Sequence, residues 1–217
     1  MFDVHTLPIS LTIILVGWSS WRFAASQAEL QRERRVWLQG CLCVACSLVL
    51  EAQPVWRGAA WSMLSIALLM GGFIQLSLVL SWLQACASQW RRWTLLLVVM
   101  VAINGTVSDG ALPDIGNALA LGTVFVRLSW LHWQIERQTR FPILTSLYAL
   151  GAATFAARVA LDVLGLHDPA LLDLVEPLLY LFASTATIYG SFGFLMVILR
   201  RRTQRLVRET LQDGLTG

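Results

Sequence analysis

The chain has no lysine: all 16 basic residues among its 217 are arginine. A retinal-type Schiff base, or any coupling site built on an ε-amine, needs a lysine, so a rhodopsin-like photoreceptor is excluded on chemistry. Charge of either sign is scarce, at 13% of residues, where a soluble domain carries about a quarter. The 4 cysteines are too few and wrongly placed for a disulfide scaffold. Cys41, Cys43 and Cys46 fall inside one apolar run and Cys86 near the end of another. They read as small packing residues rather than as a soft metal site.

What the sequence has in abundance is apolar surface. Hydrophobic residues make up 57%, and the mean hydropathy is +0.65. A membrane-crossing helix needs about 20 apolar residues, so the chain holds about seven spans, short connections and no separate soluble domain. The expected fold is therefore all-α, a polytopic membrane protein forming a bundle of transmembrane helices. Hydropathy places the spans at Thr6 to Ala25, Val36 to Ala52, Trp61 to Leu83, Trp93 to Val107, Pro113 to Trp133, Pro142 to Gly165 and Pro169 to Leu199. Asp168-Pro169 reads as an N-cap followed by proline at the first helical position.

Arginine placement sets the expected orientation. Alternate connections hold Arg32, Arg34, Arg35, Arg91, Arg92, Arg137 and Arg140, and the tail holds Arg200, Arg201, Arg202, Arg205 and Arg208. The opposite connections hold only Arg57 and collect Asp3, Glu51, Asp109, Asp114, Asp168, Asp173 and Glu176. The positive-inside rule makes the first set cytoplasmic, with the N-terminus outside and the C-terminus in the cytoplasm. Trp18, Trp21, Trp37, Trp82, Trp90, Trp93, Trp130 and Trp133 fall near the same cytoplasmic ends, while Trp56 and Trp61 mark the outer one. Amphipathic indoles favour such interfaces. The first span has Asp3 and His5 where a signal peptide is basic, so it reads as a retained anchor.

Ionisable groups within a span default to functional hypotheses. Thr154, Arg158 and Asp162 share one face of the sixth span by i, i+4 spacing. Asp173, Glu176, Tyr180, Ser184, Thr187 and Ser191 form a polar stripe along the seventh. Glu176 matches the depth of Arg158, so a contact from Arg158 to Glu176 or Asp173 is expected. Asn104, Asn117 and Glu51 lie near the same level. Together these residues outline an outward-opening pocket for an unknown small-molecule ligand; the competing reading is an interhelical ion pair that only fixes packing. Arg127 reads as snorkelling to the headgroups. Haem ligation by His5 and His167 is not favoured for lone loop histidines, and His132 lies on the far side. Gly71-Gly72, Gly151, Gly190 and Gly193 permit close helix approach, the last pair also being a candidate hinge.

Beyond Leu199 the helix-favouring run RRRTQRLVRETLQ carries a weak apolar stripe of Leu206, Val207 and Leu211. Such a stripe suits pairing with a second copy, and the arginines, Arg200 onward, suit anionic lipid headgroups. Asp213, Gly214, Leu215, Thr216 and Gly217 follow. This DGLTG resembles the D-x-LTG motif that opens the catalytic domain of GGDEF-family diguanylate cyclases, where it also follows a signalling helix. The Asn-Arg pair that usually continues the family motif is not in the chain.

The resemblance implies that residues 1–199 are a seven-helix transmembrane sensor domain, 200–212 a cytoplasmic signalling-helix linker and 213–217 the start of a truncated GGDEF domain. It implies a bacterial inner-membrane, multi-pass protein, probed by a periplasmic or membrane-borne ligand and acting as a homodimer. The cyclase that makes cyclic di-GMP from GTP, with its Mg, would lie beyond Gly217, so neither catalytic residue, cofactor nor nucleic-acid partner is expected in this chain. Alternatives are a small transporter or channel, disfavoured by the lack of an internal repeat, and the membrane sensor of a histidine kinase.

Overall fold

The computed structural model describes residues 6–23, 30–51, 59–84, 90–106, 111–137, 142–165 and 169–216, with some side chains inside these segments outside the description. Among the described residues the protein is all-helical. Its elements are α1 (Thr6–Phe23), α2 (Gln31–Glu51), α3 (Ala59–Leu83), α4 (Trp90–Thr106), α5 (Ala111–Glu136), α6 (Ile143–Val163) and α7 (Pro169–Thr216). Each helix packs on the next, and α7 returns to α1, closing a ring around an interior that α3 shares with α2, α4 and α5.

Among the described residues, three stretches are long and apolar enough to cross a membrane: Met63–Leu83, Ile143–Val163 and Leu181–Val207. Helix α4 carries Arg91 and Arg92 in its first turn. Apolar side chains also face outward all round the bundle, among them Leu15, Leu95, Val98, Leu119, Val126, Leu150 and Phe192. A helix apolar on every side fits a lipid surrounding, not an aqueous one.

The tightest helix pairs are hairpins. Gly40 and Gly72 bring α2 and α3 together so closely that a Cβ on Gly72 would stand 2.8 Å from the Gly40 carbonyl oxygen. Further along the same seam the Ser47 and Ser65 hydroxyls lie 3.0 Å apart. Small residues let backbones approach where the hydrophobic effect gives no drive between helices. Helix α6 stops at Gly165, whose φ of 66° is the left-handed conformation a glycine adopts without a Cβ clash. Helix α7 runs through Pro177 without interruption. It is 48 residues long, about 70 Å at 1.5 Å per residue and more than twice a ~30 Å hydrocarbon core.

The bundle interior is aromatic. Phe125 of α5 meets Phe73, Tyr148 and Phe155 edge to face at centroid distances of 5.0, 5.6 and 5.2 Å, geometries that aromatic quadrupoles favour. Trp37 departs from the sequence expectation of an interfacial indole. It is fully buried and stacks on Phe194 of α7 at 4.5 Å with an interplanar angle of 5°. Trp18, Trp61, Trp130 and Trp133 are largely exposed, as membrane-interface residues are. Arg127 lies over the Trp130 ring at 4.5 Å, a cation–π contact that holds its charge toward the bundle surface.

Candidate functional site

Arg158 sits on α6 five residues before the helix ends, and the antiparallel α5 brings its own first turn alongside. The Arg158 Nε donates to Asp162 Oδ2 on the next turn of α6 at 3.1 Å, and Nη2 lies 3.8 Å from Asp114 Oδ2 of α5. The side chains of Arg158 and Asp162 are 14% and 3% exposed, whereas that of Asp114 is 61% exposed. The cluster is therefore graded, with a buried carboxylate within, the guanidinium between, and a second carboxylate at the surface. A guanidinium offers five donors in a fixed fork, so one group can serve both carboxylates.

The i, i+4 pairing of Arg158 with Asp162 is the geometry the sequence predicts. The expected contact with Asp173 or Glu176 falls on side chains outside the described residues, as do the side chains of Tyr180, Asn104 and Asp213. Their backbones are helical. Asn117 is buried on α5, on the turn after Asp114. Asp114 is the partner that sequence reasoning missed. Its signal was available: antiparallel neighbours put the fourth residue of one helix level with the end of the other.

In the described part of the α7 polar stripe the hydroxyls bond to their own helix. The Ser184 hydroxyl donates to the Leu181 carbonyl at 3.1 Å, Thr187 to Ala183 at 2.8 Å and Ser191 to Thr187 at 3.1 Å. Buried hydroxyls on a membrane helix commonly satisfy themselves on the preceding turn in this way. Ser191 also meets the Cys41 sulfur at 3.9 Å.

At the opposite end of the same hairpin, Glu136 closes α5 onto α6. Its carboxylate accepts from the Leu144 and Thr145 backbone N–H groups at 3.1 and 2.9 Å and from the Thr145 hydroxyl at 2.8 Å. The residue preceding α6, Pro142, makes no side-chain cap of its own, so Glu136 supplies the anion that the N-terminal amides and helix dipole favour. Hairpin α5–α6 is thus clamped by ionic groups at both ends.

Between these clamps lies His132, which sequence reasoning set apart only by its distance from the other histidines. It is fully buried, stacks on Tyr148 at 4.9 Å and 9°, and has no hydrogen-bond partner for either ring nitrogen among the described residues. Tyr148 donates to the Ala186 carbonyl of α7 at 2.8 Å. Gly190 and Gly193 face this pair; a Cβ on Gly193 would stand 2.5 Å from His132 Cε1 and 3.0 Å from Leu144 Cδ1. These glycines are where α7 presses closest on α5 and α6.

Among the described residues no group of His, Cys, Asp and Glu could hold a metal ion. Compared with protein families, curated proteins and solved structures, the chain matches none.

Proposed function

We propose that this chain is the membrane-embedded input domain of a bacterial signalling protein. On this reading it crosses the inner membrane seven times, N-terminus outside and C-terminus in the cytoplasm. Its response to a small periplasmic or membrane-borne ligand at the Arg158 cluster passes along α7 to a diguanylate cyclase joined after Gly217.

The observation that carries the reading is α7 itself. One unbroken helix is packed among α1, α2 and α6, leaves the bundle with Leu199, Leu206, Val207 and Leu211 exposed, and reaches the DGLTG motif. A rigid rod from the bundle interior to the motif is the element a sensor needs to move an attached catalytic domain. The exposed leucines suit pairing with a second copy. The topology is supported by how the arginines gather: Arg32 lies over Trp82 at 4.2 Å, and Arg137, Arg200 and Arg201 share one cleft at that end of the bundle. A switch of this kind requires a ligand that prefers one of two helix arrangements.

The reading frame beyond Gly217 gives the first test. An Asn-Arg pair followed by GGDEF or GGEEF is the expected continuation, and a phosphoacceptor histidine or a stop codon would replace the cyclase reading. The second test is Arg158→Gln in the complete protein. A change in cyclic di-GMP output per amount of folded protein is expected; an unaltered response on that basis sinks the pocket.

A further inference from the structure

We infer that the arginine-rich end of the bundle holds a binding site for one anionic glycerophospholipid, with its phosphate between α3, α5 and α7 and an acyl chain in the groove between α5, α6 and α7. The site lies at the other end of the bundle from Arg158 and depends neither on that cluster nor on a cyclase. It rests on two neighbouring cavities that share Ile135 and Arg200 in their walls.

The first is a polar cleft of about 420 Å³. Arg137, Arg200 and Arg201 line it together with Gln84, Gln134 and Gln204. Arg201 donates to the carbonyl of Leu83, the last residue of α3, which fixes its stem across the cleft while leaving guanidinium donors for another acceptor. The Gln84 side-chain amide donates to the Leu131 carbonyl of α5 at 2.9 Å, tying the α3 and α5 walls together. Arginines surrounding a cleft with amide groups and, among the described residues, no lining carboxylate suit a phosphodiester, whose oxygens accept the paired N–H bonds of a guanidinium.

The second is an apolar groove of about 520 Å³. Ile143 and Leu144 of α6 face Tyr189, Phe192 and Met196 of α7 across it, and Ile135 and Arg200 line both it and the cleft. Each cavity is within the roughly 300–1,000 Å³ of small-molecule sites. Ile143, Phe192 and Met196 are more than half exposed, at 65%, 52% and 56%, so the groove opens sideways to whatever surrounds the bundle. The one carboxylate lining the groove, Glu136, has both oxygens on α6 amides.

Length decides between a lipid and a soluble anion. From Tyr189 to Arg200 helix α7 rises about 16 Å, close to half of a ~30 Å hydrocarbon core and hence to one leaflet. A greasy groove one leaflet deep, ending at a cluster of guanidiniums where the headgroups begin, has the polarity profile of a single phospholipid. A water-borne phosphate would use the cleft and leave the groove without purpose.

The test is native mass spectrometry of the purified full chain in detergent with equal amounts of dioleoyl-phosphatidylglycerol and dioleoyl-phosphatidylcholine. Phosphatidylglycerol should be retained about tenfold more, and Arg137→Gln or Arg200→Gln should each lower its retention about fivefold, the effect of losing one charge-assisted contact. Met196→Trp, which fills the groove and keeps every arginine, should lower it comparably. Arg91→Gln with Arg92→Gln removes the same kind of charge from exposed positions on α4 and should leave retention unchanged. Equal retention of the two lipids overturns the proposal. So does an equal loss in the α4 pair, which would mean diffuse attraction, or full displacement by glycerol 1-phosphate with no effect of Met196→Trp, which would mean a site for soluble anions. Should Arg200→Gln fail to elute as a folded protein, Arg137→Gln and Met196→Trp decide the matter.

Discussion

Asp162 is among the most buried carboxylates described, and its guanidinium partner is one turn away on the same helix. Removing one member of such a pair leaves an uncompensated charge, which costs about 3 kcal/mol or more, whereas removing both is often close to neutral. Arg158→Leu should therefore lower the melting temperature in detergent markedly, and Arg158→Leu with Asp162→Asn should recover much of the loss. If the double variant is no better than the single, Arg158 stabilises through packing and not through charge. A second residue-scale prediction concerns Gly193. A Cβ there would stand 2.5 Å from His132 Cε1, closer than Cβ atoms come, and tightly against Leu144 Cδ1 at 3.0 Å, so Gly193→Val should cost about 2 kcal/mol by forcing α7 outward, read as a lower melting temperature. At this scale the sequence was only partly legible. The Arg158–Asp162 spacing is written in it. The burial of Trp37 is not, because an indole near an arginine-rich end satisfies the interfacial pattern equally well, and only its stacking on Phe194 distinguishes the two.

Helices were more legible than their faces. The apolar runs end at charges, prolines and glycines, so the expected spans and the observed helices overlap throughout; the sixth, expected at Pro142 to Gly165, is observed at Ile143–Val163. Which side of each helix turns inward was not legible, because face prediction needs a contrast between apolar and polar sides, and a helix such as α3 has almost none. The capping of α6 was hidden for a related reason: its carboxylate comes from the preceding helix, across a loop, and not from the N-cap position that sequence patterns describe. Glu136→Ala should remove the anion from the α6 N-terminus and cost about 1–2 kcal/mol. Hydrogen exchange at Leu144 and Thr145 should accelerate more than exchange at the middle of α6. Uniform acceleration along α6 would show that the carboxylate supports the whole hairpin and not the first turn.

For the whole molecule, composition alone pointed to helices in lipid, and the apolar exterior agrees. The pairing of helices was beyond sequence reach, since contacts between α7 and α1 join the two ends of the chain. The proposed topology makes a simple prediction for the intact protein. A green fluorescent protein fused after Gly217 should fluoresce, and alkaline phosphatase fused at the same point should be inactive, with the reverse pattern for phosphatase fused in the connection that follows α2. An active phosphatase after Gly217 would invert the bundle and remove the route from α7 to a cytoplasmic output.

The way α7 satisfies its polar groups bears on how it can move. The Thr187 and Ser191 hydroxyls bond to carbonyls of their own helix, so they travel with it when it turns. Hairpins α2–α3 and α5–α6 are different, fastened by interlocked glycines in one case and ionic clamps in the other. In the proposed signalling mechanism, the paired hairpins act as a stator and α7 as the shaft, held to them by Tyr148 on the Ala186 carbonyl and by Arg201 on the Leu83 carbonyl. A small screw rotation of the shaft would slide aromatic and glycine surfaces past one another, and across 48 residues it would arrive at the far end as a change of angular phase.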